Sequence, residues 1–356
     1  MTSNAISKHQ FISIVVLFLF GSSVLIPPGP AGKQEIWLVL ILASLWSVGL
    51  FRIYSSLNKI FPEDTIIEYL PKVFGKFIGS LISLFYVFFF ILLCALVTRN
   101  LVDFMTTELP ETPMLSISLS LLLVGSYLLR KDLAVISKLV EFFYPISISF
   151  FLFATIVLIP YMDLKSLLPF FSDHFFTNTI HGFIQASGWP FGEIITLTMI
   201  IPFLKNKKEI QPGAAQAVLI VGLIFLMVSF RNRAVLGASI TYVTYPSLSA
   251  IDMVEIPGLG GIVYLVFISQ TSALFTKLIL CYYAGTKGLA QLIGSKNYKV
   301  FVFPLLIIIV FLSQLGYKNI GDTAYFGSDI YPYYLFPLSF LIPLITYIVA
   351  KLKTIK

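Results

Sequence analysis

The chain has 356 residues, of which 58% are hydrophobic and only 12% charged, and its mean hydropathy is +0.92. Ordinary soluble domains carry about 25% charged residues, so this composition excludes one and indicates a polytopic membrane protein. The formal net charge of +7 would suit a nucleic-acid partner, but the basic residues collect in loops between apolar segments and read as membrane topology instead. Cys94 and Cys281 both lie inside apolar segments and offer no disulfide framework. His9, His174 and His181 lack metal-ligand spacing. There is no glycine-rich phosphate loop and no nucleophile–base signature, so neither an enzyme nor a cofactor is expected.

Apolar stretches of spanning length fall at 10–30, 36–57, 77–105, 114–130, 138–160, 178–204, 213–235, 259–284, 300–316 and 333–351. They predict an all-α integral membrane protein with ten transmembrane helices in one domain. The first stretch has no small-residue cleavage site behind it and reads as an uncleaved span. It is interrupted by GSSVLIPP at 21–28, and the sixth stretch is interrupted by SGWPFGE at 187–193. Both breaks fall well inside the hydrocarbon region, where lipid cannot satisfy freed backbone N–H and C=O groups. Paired breaks in corresponding segments point to a ligand site near the midplane.

Three connecting segments carry their own signals. FPEDTIIEYLPKVFGK at 61–76 mixes acids, bases and apolar residues, which predicts a short helix along the cytoplasmic interface, and 287–299 reads similarly. The segment 239–260 is too long for a simple turn and is expected to fold over the outer vestibule as a lid.

A cytoplasmic amino terminus gathers most of the basic residues on the inside. These are Lys8; Arg52, Lys59, Lys72 and Lys76; Arg130, Lys131 and Lys138; Lys205, Lys207 and Lys208; Lys287, Lys296 and Lys299; and Lys351, Lys353 and Lys356. The outside receives Lys33, Arg99, Lys165, Arg231, Arg233 and Lys318. This bias puts both termini in the cytoplasm. Helix 1 then runs outward and helix 6 inward, so 10–160 and 178–351 form two inverted five-helix repeats with helices 1 and 6 broken.

The breaks supply the candidate ligand-binding residues Gly21, Ser22, Ser23, Val24, Trp189, Phe191, Gly192 and Glu193. Unwinding at 21–23 would aim the positive end of an outer half-helix at a polar oxygen or carboxylate; the alternative is a small-residue packing contact. Trp189 and Phe191 can wall a pocket, and Gly192 allows close backbone approach. Glu193 is an intramembrane carboxylate, able to receive a ligand ammonium or a proton, or to knit helices together. Lys277, in the polar run around 269–277, either stands in for a cation between helices 1 and 8 or snorkels to the cytoplasmic side, with snorkelling favoured. Arg99 and Asp103 are spaced to pair on helix 3 as an interfacial anchor or an outer gate. Cys94, Thr98, Tyr86 and Tyr264 are weaker candidates.

The stretch GSSVLIPPG is similar to the Gly-Ser-Gly-Ile-Phe…Pro element of the amino acid–polyamine–organocation permeases. FPEDTIIEYLPKVFGKFIG, the Arg99 end of helix 3, EFFYPI at 141–146, PFGEIITLTMIIPFLK at 190–205, RNRAVLG at 231–237 and GLAQLIG at 288–294 extend the likeness along the chain. Through them the chain resembles the spore germination permeases, the B subunits of nutrient germinant receptors. The resemblance implies a ten-helix permease fold used as a sensor in the spore inner membrane. It also implies an amino-acid or sugar nutrient and two partners, a larger A-type subunit and a lipoprotein C-type subunit. Ser23 stands where the permeases usually carry a second glycine, which narrows the pocket or adds a hydroxyl. A proton-coupled amino-acid permease is the alternative reading, with Glu193 or Lys277 as proton carrier. A scaffold or ion-conducting partner is a third.

Overall fold

The structure is a computed structural model, and it describes residues 5–23, 27–253, 261–316 and 320–354. The helices in chain order are α1 (Lys8–Ser23), α2 (Ile36–Ile60), α3 (Ile66–Phe74), α4 (Lys76–Glu108), α5 (Met114–Leu129), α6 (Leu133–Leu158) and α7 (Phe175–Gly188). They continue as α8 (Ile210–Leu236), α9 (Pro246–Asp252), α10 (Ile262–Ile293), α11 (Val302–Leu315), α12 (Ile320–Tyr325), α13 (Tyr331–Phe336) and α14 (Ile342–Thr354). No β-sheet forms among the described residues; one isolated pairing joins Ile6 and Leu204.

Seven helical stretches among the described residues are long and apolar enough to cross a membrane. Helices α1 and α5 are apolar but shorter, and the expected sixth span is divided. The chain is therefore a multi-pass all-α membrane protein, but not one of ten uniform full-length helices. Helix α10 lies at the centre, packed against α1, α4 and α6, with α8 packed on α1 and α2 on α8. The outward face is lined by residues such as Phe77, Phe85, Phe88, Leu223 and Ile307, all exposed, as a lipid-facing surface requires.

Prolines explain several local choices. Pro343 has no N–H for the carbonyls four and five residues back, those of Ser339 and Leu338. The hydroxyls of Tyr54 and Tyr86 donate to these oxygens at 2.6 Å each, tying α2 and α4 to the start of α14. Pro71 likewise frees the Ile67 carbonyl in α3, and Ser83 of α4 donates to it at 3.3 Å. Helix α3 is the short amphipathic helix expected within 61–76: a Thr65–Glu68 capping box starts it and Ile66, Ile67, Tyr69, Leu70 and Val73 are buried.

The segment 287–299 differs from expectation. Its first half continues α10 to Ile293, and Gly294 closes the helix at φ 79° with the Ser295 N–H on the Ala290 carbonyl at 2.8 Å. No proline interrupts 287–293, so the helix runs on to Gly294. The segment 239–260 forms a turn of 3-10 helix over Gly237–Tyr242 and then α9, which packs on α6, α8 and α10; residues 254–260 lie outside the described residues.

Candidate functional site

Helix α1 is regular through Ser23, so the expected unwinding at Gly21–Ser23 does not occur. Proline restricts the residue before it and cannot donate a helical hydrogen bond; Pro27 and Pro28 stand beyond residues 24–26, which lie outside the described residues. Beyond them the described chain turns into a 3-10 helix over Pro30–Glu35 rather than an outer α-helical half. This short element packs on α7 through glycines: a Cβ on Gly182 would meet the Gly32 backbone nitrogen at 2.7 Å. Ser22 lies in the last turn of α1, and Val24 lies outside the described residues.

Gly21 makes the packing contact. A Cβ there would meet the Ala273 carbonyl at 3.1 Å and the Lys277 Cβ at 3.3 Å, so α1 and α10 touch nearly backbone to backbone. One turn earlier, the Phe18 ring sits 5.2 Å from the Lys277 ammonium. Phe18 and Gly21 advance along α1 while Lys277 and Ala273 recede along α10, so the two helices are antiparallel.

The second break is where the sequence places it. Helix α7 ends at Gly188, and the chain resumes as 3-10 helix over Glu193–Met199. Gly188 is required by the crossing of α13, since a Cβ would lie 2.5 Å from Pro332 Cα. Gly192 is required by its own turn, where a Cβ would approach the Ser187 and Gly188 carbonyls at 2.7 and 2.9 Å. Trp189 is half-buried at the end of α7, and Phe191 is fully buried, edge-on to Phe225 of α8 at 5.9 Å.

Glu193 and Lys277 form an ion pair at 2.5 Å with side chains 2% and 0% exposed. The Tyr331 hydroxyl donates to the other carboxylate oxygen at 3.0 Å. Lys277 thus does not snorkel. Its four-carbon stem would have to leave a carboxylate for lipid, and an ammonium desolvated in a protein interior is held by its counter-charge. One residue from the divided span, one from α10 and one from α13 meet beside the Gly21 contact.

Several residues on the elements that meet here carry buried polar atoms without a hydrogen-bond partner. Among these atoms are Ser23 Oγ, Thr196 Oγ1 and both amide atoms of Gln270. Gln270 is three and seven residues before Ala273 and Lys277, on the same stripe of α10. Thr196 follows Glu193 by three residues in 3-10 helix, where that spacing eclipses side chains. A Cβ on Gly288 would meet Met199 Cε at 3.8 Å while Glu193 meets Lys277, so the divided span and α10 run in the same direction and Thr196 lies on the other side of the ion pair from Gln270.

The remaining candidates lie elsewhere. Arg99 and Asp103 pair at 2.8 and 3.0 Å. They sit inside the bundle, with Arg99 also reaching the Ser313 carbonyl of α11 at 3.4 Å, and so do not form an interfacial anchor. Tyr86 is committed to Leu338. Tyr264 is 59% exposed and does not reach the centre. Thr98 donates to the Cys94 carbonyl at 2.8 Å within α4. No group of metal-binding side chains occurs among the described residues. A groove of about 550 Å³ bordered by α4, α5, α6 and α10 is lined by Met105, Ile117, Leu121, Phe143 and Phe275 among others; it is apolar and lies on a different stripe of α10.

Sequence reading missed Tyr331 and counted Arg231 only as an outer-side charge. Arg231 is buried in α8, bonded to Thr155, Asn232 and Ser247 at 2.8–3.0 Å and set 5.1 Å from the Phe151 ring. The signal available was its position: the RNR run continues an apolar helix without a turn residue before Gly237.

A central helix packed on α1 beside a divided span is a fold shared with a membrane symporter of known structure. A substrate-bound, outward-open Na+-coupled sialic acid symporter superposes with a TM-score of 0.67, over 94% of this chain and 79% of that chain, at 13% sequence identity. The family model described as "Spore germination protein" matches residues 5–320, and the chain belongs to this family of spore germination permeases. Among its relatives in Bacillus subtilis (strain 168), spore germination protein KB is 26% identical, covering 99% of this chain and 96% of that protein. Spore germination protein YndE is 26% identical over 92% of each. Spore germination protein A2 is 23% identical over 98% of this chain and 96% of its own length.

Proposed function

We propose that this chain is the nutrient-recognising permease-type subunit of a germinant receptor. It resides in the spore inner membrane with both termini in the cytoplasm, beside A-type and C-type subunits. Its two inverted repeats, 10–160 and 178–351, enclose the ligand where their broken helices meet. It acts without catalysis: a nutrient binds one arrangement of the bundle better than another, and the partner subunits respond to the shift in population. The observation that carries this reading is the buried Glu193–Lys277 pair, joined by Tyr331, where the divided span, α10 and α13 meet beside the close contact of Gly21 with α10. Family membership supports it, and the symporter-like fold supplies a known architecture for a central site.

The test is complementation. Spores lacking this gene should lose germination to one nutrient while still germinating to agents that bypass receptors. The intact gene should restore the response and the Gly21→Leu variant should not, although it reaches the membrane. A null strain that keeps every nutrient response contradicts the receptor reading. Accumulation of the nutrient inside vesicles containing this chain alone would favour the proton-coupled permease instead.

A further inference from the structure

The groove bordered by α4, α5, α6 and α10 arises because its two walls are pulled apart. The first half of α5 is held towards α11, where Gln314 donates to Ser118 at 2.7 Å. The facing part of α6 is held to α10 instead: Ser147 and Ser272 share a hydrogen bond at 2.7 Å, and Ser269 donates to the Ser147 carbonyl at 2.6 Å. A gap of about 550 Å³ is left between them, with α10 as its floor. Farther along, Ser126 of α5 meets the Tyr282 hydroxyl of α10 at 3.0 Å. Helix α5 then turns into α6 through residues 130–132, so the groove is closed at that end.

We propose that this groove holds one acyl chain of a membrane phospholipid whose headgroup carries an ammonium, set beside Glu108 and Glu111. The proposal is independent of the receptor reading above.

Position, lining and dimensions select an acyl chain. The groove opens onto the lipid-facing surface, since Val124 and Ile268 on its rim are 51% and 47% exposed. Among the described residues that line it none is charged, and the hydroxyls of Ser120 and Ser272 donate to the Ser116 and Ser269 carbonyls of their own helices. Only Thr271, among those same residues, keeps a buried hydroxyl without a partner. The stretch from Ser116 to Val124 runs about 12 Å along α5, against about 15 Å for the hydrocarbon of one leaflet. With the volume, that length gives a width of roughly 8 Å, narrower than a helix with its side chains at about 10–12 Å.

The headgroup follows from the charges at the open end. Between Arg99 and Arg130 the sequence holds Asp103, Glu108 and Glu111 and no basic residue. Asp103 is paired with Arg99, whereas Glu108 and Glu111 form no ion pair among the described residues. They adjoin Leu109 and Thr112, which line the groove where α4 gives way to α5. Two uncompensated carboxylates at this mouth attract an ammonium and repel a headgroup of net negative charge. On the orientation the charge bias predicts, the mouth lies in the outer leaflet.

The experiment counts the lipid that stays with the protein. The purified full chain is reconstituted in bilayers of equal phosphatidylethanolamine and phosphatidylglycerol, extracted in mild detergent and weighed by native mass spectrometry. The parent is expected to keep one phospholipid, with phosphatidylethanolamine favoured by ~3-fold, the scale of an exposed ion pair. Leu121→Trp and Ile268→Trp fill the groove from α5 and α10 and should lose the lipid. Leu123→Trp, at an exposed position of α5 outside the lining, should keep it. Glu108→Gln combined with Glu111→Gln should keep a lipid but not the preference. Neither glutamate belongs to the core, so this variant decides the matter even if a groove variant fails to fold. A parent that keeps no lipid overturns the proposal, and does so in favour of a second protein chain if it is extracted as a dimer. Retention in the folded groove variants equal to that in Leu123→Trp overturns it as well, as does a preference unchanged in the double glutamine variant.

Discussion

At Glu193 both carboxylate oxygens are engaged by side chains from other helices, which changes what a substitution there means. Read from sequence, Glu193 waits for a ligand ammonium; in the structure it already holds one, from Lys277. Removing one member of a buried pair strands the other charge and typically costs about 3–5 kcal/mol, whereas replacing both with apolar groups is often neutral. Glu193→Gln and Lys277→Met should therefore each lower the thermal unfolding temperature and the amount of protein in the membrane. The double variant should recover most of both. If the single variants accumulate and unfold like the parent, the pair does not hold the helices together.

At the scale of elements, the close crossings depend on the absence of a side chain. A methyl group on Gly188 would sit 2.5 Å from Pro332 Cα, while one on Gly49 meets nothing within 4 Å. Gly188→Ala should displace α13 from α7 and reduce stability, in the range of about 1–3 kcal/mol for overpacking. Gly49→Ala should match the parent or gain up to about 1 kcal/mol from helix propensity. Thermal unfolding of the two variants side by side checks the crossing. Equal effects would contradict it.

The same scale shows what sequence can and cannot supply. The order and extent of the apolar segments were legible because span length is a one-dimensional property. So was the break after Gly188, since Gly-Trp-Pro-Phe-Gly leaves little room for continuous helix. The unwinding expected at 21–23 is absent: glycine and serine suggest it, yet Gly21 serves a helix–helix contact. The partner of Glu193 lies 84 residues away, and local pattern gives no means of choosing among distant lysines. The burial of Arg231 was not legible because a basic residue near the end of an apolar run looks like a topology signal. Here the polar oxygens of Thr155, Asn232 and Ser247 take it into the bundle.

For the whole molecule, the amino-terminal segment fastens one end of the bundle. The Ile6 N–H donates to the Phe203 carbonyl at 2.8 Å and the Lys205 N–H to the Ile6 carbonyl at 3.0 Å. Lys8 pairs with Glu209 at 3.1 Å, and Gln10 donates to Glu141 at 3.0 Å. These contacts join the start of α1 to the end of the divided span and to the starts of α6 and α8. The charge bias predicts a cytoplasmic location for this end. Both native cysteines are buried, so single cysteines introduced at exposed positions report orientation cleanly. Substitutions at Lys33 and Lys165 should react with an impermeant reagent added outside, and those at Lys59 and Lys208 should react only after permeabilisation. The reverse pattern would overturn the orientation and the inverted-repeat arrangement with it.

The central claim is that a small nutrient binds where α1, α10 and the divided span converge. Equilibrium binding of the nutrient that triggers these spores to the purified full chain in nanodiscs tests it most directly, with Gly21→Leu and Gly49→Ala measured alongside. Leucine at 21 would force α1 away from Ala273 and Lys277, while alanine at 49 touches nothing. Saturable binding is expected for the parent and for Gly49→Ala, with loss or at least ~10-fold weakening in Gly21→Leu. Binding of undiminished affinity to a folded Gly21→Leu protein would contradict the account.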